Sequence, residues 1–174
     1  MPLDGAMLAE LFREAKARDG VLHLGFTGTR HLNEIGREAI ANTIWAFAGW
    51  AAKEGVRLEV VHGGCVGADA FAGQTGLIYS GAFPGGTDVH AVIPADMRQV
   101  PADWRQHCHT YEVMPEGSSY RDRNKRIVRR AQVLFAVADY PEDHGKSRRS
   151  GTWMTVRIAQ EANIPIFSCI QHDD

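Results

Sequence analysis

Five short apolar runs, separated by longer segments of helical periodicity, constrain the fold more than any other feature of this sequence. The runs are typical of buried strands: VLHLGF (21–26), RLEVVHG (57–63), DVHAVIPA (88–95), AQVLFAVAD (131–139) and IPIFSCI (164–170). Apolar residues at helical spacing predict helices around the strands, over 6–18, 34–54, 68–79, 119–130 and 152–163. This alternation predicts an α/β, three-layer, Rossmann-like fold with a mostly parallel sheet and helices on both faces.

The organisation of the chain fits one domain over 1–174, with an N-terminal helix within 1–20 and a core over 21–169. The length of 174 residues is that of one domain, and no linker, repeat or low-complexity segment interrupts it. The segment 96–119 is less regular, with a predicted helix start at 100–104 and a predicted short strand over 111–114.

Charge and cysteine content narrow the class of protein. The formal net charge of −2 argues against nucleic acid and against a membrane surface as partners. The three cysteines include no C-x-x-C pair, which favours free thiols in a reducing compartment. No segment reads as a signal peptide or a membrane helix, so a cytoplasmic location is expected.

Unusual residues follow four of the predicted strands. The segments are GFTGTR (25–30), HGGCVGAD (62–69), PADMR (94–98) and DYPEDHGKSRRSGT (139–152). Ligands of open α/β sheets bind at the carboxyl ends of the strands, near the point where the strand order reverses. The sequence therefore predicts a ligand site at this edge of the sheet.

The chemistry of these segments is that of anion binding. Helix starts at 66–69 and 150–152 offer unpaired N–H groups, and glycines allow a phosphate to approach the backbone. Arg30 and the basic helix 121–130 supply guanidinium groups for bidentate phosphate contacts. Each feature alone also has a structural interpretation. The glycines can serve turns or packing, and the basic helix can present a solvated face. Neither G-x-G-x-x-G nor G-x-x-x-x-G-K-[ST] is present.

The histidines and cysteines do not predict a metal site. His62 and Cys65 share the glycine-rich loop, and HCH (107–109) adds three potential ligands, but neighbouring residues of a regular element point in different directions. Neither a metal nor another cofactor is expected. Cys65 precedes a helix start, where a thiol can be activated, but a packed cysteine is the favoured interpretation.

Five segments carry a resemblance to a known family, in this order: GFTGTR, VVHGGCVGADAFA, AVIPAD, RDRNKRIVRRAQVLFAVAD and SGTW…IAQEANIPIF. Together they resemble the SLOG superfamily of Rossmann-like proteins. That superfamily includes the Lonely Guy phosphoribohydrolases and DNA-processing protein A. The resemblance extends over about 21–169 and is strongest to a small bacterial and phage-borne branch with an H-G-G-x-x-G-A-D core and an R-N-x-x-[MI] helix.

The resemblance implies a nucleotide-derived ligand over the glycine loops, commonly in a homodimer. Under it, the H-G-G-x-x-G-A-D residues match the phosphate-side loop, Arg123 matches the arginine of the basic helix, and 151–152 match a Gly-Thr pair. The strand ends and the resemblance together give these ligand-binding residues: Gly25, Thr27, Gly28, Arg30, Gly63, Gly64, Gly67, Ala68, Asp69, Pro94, Arg123, Asn124, Ser150, Gly151 and Thr152.

One departure from the superfamily concerns catalysis. The active phosphoribohydrolases carry a glutamate shortly after the Gly-Thr pair, where this chain has Thr155, and RRS (148–150) replaces their PGG. Since that glutamate works on the glycosidic bond, its absence argues against hydrolase activity.

Three functions follow as hypotheses. The leading one is a binding or sensor protein for a nucleotide-like small molecule. The second is a hydrolase of the N-glycosidic bond of a nucleoside monophosphate, with Arg123 and Asp69 as catalytic residues or Asp139 as a substitute acid. The third is a single-stranded nucleic-acid binder that uses the basic run 121–130.

Overall fold

The computed structural model describes residues 4–145 and 149–171. Predictions that fall on 1–3, 146–148 and 172–174 lie outside the described residues, including the start and end of the predicted domain and part of the predicted loop 140–151. No helix of the described ranges is both long and apolar enough to cross a membrane.

Helices and strands alternate along the chain. The helices are α1 (Gly5–Arg18), α2 (Glu34–Glu54), α3 (Ala68–Ile78), α4 (Tyr120–Arg130) and α5 (Gly151–Glu161). The strands are β1 (Val21–Gly28), β2 (Arg57–His62), β3 (Thr87–Ile93), β4 (Thr110–Val113), β5 (Val133–Ala138) and β6 (Ile166–Ile170). Two short 3-10 helices lie between β3 and β4: Met97–Gln99 and Trp104–His107.

Local sequence explains where the helices begin and end. Asn33 caps α2 by accepting a hydrogen bond from the Gly36 amide, and Gly55 ends that helix in the left-handed conformation at φ 70°. Ser119 and Asp122 form a reciprocal capping box at the start of α4. The start of the basic helix therefore follows from its polar capping residues.

The six strands form one sheet in the order β4-β3-β2-β1-β5-β6. All five strand pairs are parallel, so the prediction of an α/β fold with a parallel sheet is confirmed. The chain runs outward from β1 to β4 and then crosses back to β5 on the other side of β1. The strand order thus reverses between β1 and β5.

Helices cover both faces of the sheet. The alternating side chains of β5 show the two faces, since Val133, Phe135 and Val137 join the larger core cluster with residues of α1, α2 and α3. Leu134, Ala136 and Ala138 instead join a cluster with residues of α4 and α5. β5 is buried on both sides, as parallel strands between two helical layers are.

The predicted elements differ from the observed ones mainly at their ends. The predicted helix start at 100–104 corresponds to a short 3-10 helix, Trp104–His107. Trp104 packs on Ala91 and Ile93 of β3.

Candidate functional site

A cleft of about 520 Å³ opens at the carboxyl ends of β1 and β5, where the strand order reverses. Its walls come from the segment after β1, the loop between β2 and α3, the first turn of α4, the segment after β5 and the first turn of α5. Ligand sites of doubly wound sheets occupy this position, and the volume lies within the range of about 300–1,000 Å³ typical of ligand pockets.

The structure brings nine of the fifteen predicted ligand-binding residues to the cleft wall. They are Thr27, Gly28, Arg30, Asp69, Arg123, Asn124, Ser150, Gly151 and Thr152. The other six predicted residues do not line it: Gly25, Gly63, Gly64, Gly67, Ala68 and Pro94.

Packing accounts for several of the glycines outside the cleft. A Cβ at Gly25 would lie 2.9 Å from Cβ of Ala131 at the end of α4, and a Cβ at Gly64 would collide with the side chain of Ile93. Gly67 has φ 85°, and a Cβ there would lie 2.5 Å from Cα of Arg30. These glycines let helices and loops approach one another, and the described structure places none of them on the cleft wall.

Gly63 leaves space for an arginine. A Cβ at Gly63 would overlap with Nη1 of Arg123, so the guanidinium group lies directly against the glycine backbone. From there Nη1 donates to Oδ2 of Asp69 at 3.2 Å, and Nη2 lies 3.5 Å from Sγ of Cys65. The glycine-rich loop thus receives a cation from the protein itself.

The hydrogen-bonding capacity of Arg123 is only partly used by the described residues. The residue is 8% exposed, and its buried Nε–H has no hydrogen-bond acceptor among the described residues. An unsatisfied buried donor costs about 1–3 kcal/mol. An anionic ligand at the cleft wall would supply both an acceptor and a counter-charge.

Asp69 is held by its neighbours. Its Oδ2 accepts from the Cys65 amide at 3.3 Å as well as from Arg123. Burial raises the pKa of Asp69, while the Arg123 guanidinium acts in the opposite direction. The carboxylate fixes the loop between β2 and α3 and orients Arg123.

The first turn of α5 contributes backbone donors to the cleft. Oγ of Ser150 caps the helix by accepting from the Trp153 amide at 3.5 Å. The amides of Gly151 and Thr152 donate to no acceptor in the described part of the chain. Unpaired N–H groups and the helix dipole make such a turn favourable for an anion.

Exposed arginines add charge to the rim. Arg30 and Arg149 both line the cleft, and neither has a carboxylate within 4 Å among the described residues. Arg30 was predicted from the sequence, whereas Arg149 was not singled out because it lies in a long loop without periodicity. With Arg123 they place three guanidinium groups around one cavity.

A polar network that the sequence reasoning did not assemble forms the floor of the cleft. Oδ2 of Asp139 accepts from the Thr29 hydroxyl at 2.8 Å, and its Oδ1 accepts from Nε2 of Gln171 at 2.9 Å. Gln171 also donates to the carbonyl of His31 at 2.7 Å. Asp139 and Thr29 were visible as polar residues after strands, but no sequence signal connected Gln171, beyond β6, to this site.

Under the sequence resemblance, Thr155 stands at the position of the phosphoribohydrolase glutamate. It is fully buried, its hydroxyl donates to the carbonyl of Gly151 at 3.0 Å, and it accepts from Thr27 at 3.2 Å. A hydroxyl used in two internal hydrogen bonds offers neither a nucleophile nor an acid to the cleft.

The remaining titratable residues of the glycine loop are structural. Nδ1 of His62 accepts from the Gly64 amide at 3.1 Å, and burial lowers the pKa of His62 to about 4. Burial raises the pKa of Cys65 to about 11, so this thiol is not activated. Among residues 4–145 and 149–171, no cluster of three or more His, Cys, Asp or Glu side chains is arranged to hold a metal ion.

Solved structures place this architecture among known proteins. DNA processing protein A from Helicobacter pylori, described for its single-stranded DNA binding mode, superposes with a TM-score of 0.56 at 19% identity, over 88% of this chain and 68% of that one. The molybdenum cofactor carrier protein from Chlamydomonas reinhardtii gives a TM-score of 0.55 at 20% identity, over 84% and 75%. The chain shares the Rossmann-like fold of these two structures.

A third solved structure also superposes on this chain. The protein designated TM1055 superposes with a TM-score of 0.52 at 15% identity, over 83% of this chain and 72% of that one. The fold implied by the sequence resemblance is therefore confirmed. No protein-family model matches the chain, and no curated protein sequence matches it.

The expectation drawn from net charge about nucleic acid is not upheld. Net charge argued against nucleic acid as a partner, and that exclusion is wrong, because a protein with this fold, DNA processing protein A, binds single-stranded DNA. The charge of −2 is a sum over the whole chain, whereas the cleft is lined by Arg30, Arg123 and Arg149.

Proposed function

We propose that the protein binds a nucleotide or nucleotide-derived ligand in the cleft, with a phosphate group against Arg123, and acts as a binding or sensor protein. The observation that carries the proposal is the buried Arg123 guanidinium, which lines the cleft and keeps an unsatisfied Nε–H. Burying a charged donor is costly, and a bound anion would offset part of that cost.

The surroundings of Arg123 support an anion over a neutral ligand. The first turn of α5 presents the amides of Gly151 and Thr152, and Arg30 and Arg149 stand at the rim. Guanidinium groups and helix N-termini are the groups that proteins commonly use to bind phosphate. The cleft volume of about 520 Å³ leaves room for more than a phosphate, which fits a sugar and a base attached to it.

The carboxylates of the cleft support binding without hydrolysis. Asp69 is paired with Arg123, Asp139 accepts from Thr29 and Gln171, and the superfamily glutamate is replaced by the buried Thr155. With both carboxylates engaged by protein donors, we propose no acid or base role for Asp69 or Asp139. The homodimer implied by the resemblance stays a prediction.

Isothermal titration with the four nucleoside 5′-monophosphates tests the binding proposal. We expect at least one to bind, and Arg30→Ala or Arg149→Ala to weaken it about tenfold, because each removes a charge-assisted contact worth about 1.5 kcal/mol. Arg129→Ala is the matched control, since Arg129 is an exposed arginine of α4 that lies outside the cleft wall. Absence of binding across the panel would overturn the proposal.

Chromatography of the same mixtures tests for hydrolysis. We expect no free base to accumulate above the level of a protein-free sample. Base release by the unaltered chain that Arg123→Ala abolishes would contradict the binding-only proposal. Native mass spectrometry of the purified chain would give the mass of any retained ligand and the number of chains per particle in one measurement.

A further inference from the structure

A second cavity, of about 220 Å³, lies between α4 and α5 beside the cleft. Its wall contains Arg121 from the first turn of α4, Arg157 from α5, and Arg149 before α5. Glu161 is the carboxylate on this wall, so three guanidinium groups face one acidic group among its described residues. In the sequence, Arg121 is one of several arginines of the basic run 121–130, and nothing there connects it with Arg149 or Arg157.

The two cavities share a boundary. Arg149, Ser150 and Met154 belong to the walls of both, so a ligand that fills the cleft can extend past them into the second cavity. Arg149 lies at the junction, where its guanidinium group can meet a ligand on either side.

The arginines of the second cavity are less neutralised than Arg126 and Arg130, two other arginines of α4. Arg126, on the same helix as Arg121, pairs with Glu112 at 2.9 Å, and Arg130 pairs with Glu59 at 2.7 Å. Arg121 and Arg149 have no carboxylate within 4 Å in the described ranges. Arg157 has only a long pair, at 3.6 Å to Glu142, and its side chain stays 41% exposed.

The size of the second cavity limits what it can hold. At about 220 Å³ it falls below the range of about 300–1,000 Å³ of pockets that take a whole small ligand. A single phosphate group with its neighbouring atoms is a suitable occupant, and grouped guanidinium side chains bind phosphate well. The cavity therefore fits a second anionic group of a ligand that begins in the cleft.

We propose that the cavity between α4 and α5 is a second phosphate subsite, and that the ligand consists of nucleotides joined by a phosphodiester bond. This inference rests on the proposed function, because the first nucleotide occupies the cleft. Arg121 and Arg157 bind the second phosphate, and Arg149 contacts the ligand between the two positions. Either a free dinucleotide or a single nucleic-acid strand carries this chemistry.

Binding of matched probes to the full chain tests the subsite. The probes are the four nucleoside 5′-monophosphates, the corresponding 5′-phosphorylated homodinucleotides and 5′-phosphorylated pentamers. The dinucleotide is expected to bind at least tenfold more tightly than its monophosphate. Arg121→Ala and Arg157→Ala should each remove about tenfold of dinucleotide affinity and leave the monophosphate affinity unchanged.

Arg129→Ala serves as the control on the same helix, because Arg129 is exposed and lies outside both cavities. Thermal unfolding of each variant checks that the fold persists. A pentamer that binds more tightly than the dinucleotide identifies a strand as the ligand, and equal affinities identify a free dinucleotide.

Two results overturn the inference in distinguishable ways. If the monophosphate binds and the dinucleotide gains nothing, or if Arg121→Ala and Arg157→Ala weaken both probes equally, the second subsite is wrong and the proposed function stands. If no probe binds, the proposed function fails, and the subsite fails with it.

Discussion

Arg123 reaches its position only because residue 63 has no side chain. The guanidinium group leaves α4, lies against the backbone of Gly63 and pairs with Asp69 at 3.2 Å on the first turn of α3. It thereby connects two helices from opposite faces of the sheet across the carboxyl ends of the strands. At the residue scale, the glycine, the arginine and the aspartate form one unit.

Gly63→Ala tests this unit. The added Cβ would displace the guanidinium group and leave Asp69 buried without its partner, so we expect a loss of about 1–3 kcal/mol in the free energy of unfolding. Ligand affinity should fall as well, because Arg123 would no longer be held at the cleft wall. Urea denaturation measures the change in stability, and titration with the nucleoside 5′-monophosphate that binds the unaltered chain measures the change in affinity.

Gly81→Ala is the matched control for that substitution. A Cβ at Gly81 would meet nothing within 4 Å, and its φ is not in the left-handed region. Its unfolding free energy should change little, by about 0.5 kcal/mol or less. If Gly63→Ala and Gly81→Ala changed the free energy of unfolding equally, the interpretation that Gly63 leaves space for Arg123 would be contradicted.

The glycine loop shows how far residue types alone determine a site. The glycines predicted that a phosphate approaches the backbone of this loop, whereas at Gly63 the group that lies against the backbone is Arg123. The sequence cannot show this, since Gly63 and Arg123 lie on different elements and meet only after β5 is placed beside β1. Thr27, Gly28 and Arg30 were more predictable, because they follow the strand that forms the cleft.

At the scale of elements, α4 is held at both ends. Tyr120, in its first turn, donates from its hydroxyl to the carbonyl of Asp96 at 3.1 Å. At the other end Arg130 donates to both carboxylate oxygens of Glu59 on β2, at 2.7 and 2.8 Å. Nδ1 of His23 on β1 lies 2.7 Å from the same carboxylate. These contacts fix the helix that carries Arg121 and Arg123.

The Glu59 cluster predicts a pH dependence of stability. Burial raises the pKa of Glu59, but hydrogen bonds from Arg130 and His23 outweigh burial and hold it at about 2, below its ordinary 4.5. A carboxyl whose pKa is lowered on folding stabilises the protein above pH 4.5, and that contribution is lost as the pH falls toward 2.

Glu59→Gln isolates this contribution. At pH 7 the variant should be less stable by about 2 kcal/mol, because two charge-assisted hydrogen bonds are weakened. Urea denaturation at several pH values between 7 and 3 should show the difference from the unaltered chain shrinking below pH 4.5. Glu14→Gln, at an exposed position on α1, should give no such trend. A difference that stays constant with pH would contradict the prediction.

The elements themselves were largely predictable from local pattern. The buried strands are short apolar runs, and α2 starts at an Asn cap and stops at Gly55, so periodicity and capping agree. β4 was harder to delimit, because this edge strand of four residues is mostly exposed and carries little alternation. The helix start near Trp104 was predicted, but its 3-10 form and its packing on β3 depend on tertiary contacts.

At the scale of the whole molecule, charge is distributed unevenly. The chain sums to −2, but several surface carboxylates are paired with nearby basic residues, as Asp88 is with Arg57 and Glu112 with Arg126. The arginines at the rim of the cleft lack such partners in the described ranges. The net charge therefore gives no measure of the field at the site, and it does not exclude nucleic acid as a class of partner.

This distribution predicts how salt affects binding. Arg30 and Arg149 are exposed at the rim, where the Debye length falls from about 14 Å at 50 mM salt to about 4 Å at 500 mM. Arg123 is only 8% exposed, so its interaction with a phosphate is screened much less. Nucleotide affinity should fall severalfold between 50 and 500 mM NaCl and then level off. The residual affinity reports the buried arginine.

The double variant Arg30→Ala/Arg149→Ala separates the two contributions. Its affinity at 50 mM NaCl should be lower than that of the unaltered chain, and it should change little as salt is added, since the screened charges are gone. Titrations of both proteins at three salt concentrations make the comparison, with Arg129→Ala expected to retain the full salt dependence. If the double variant kept the same salt dependence, the rim arginines would not be part of the site, and the phosphate would be bound by Arg123 and the first turn of α5 alone.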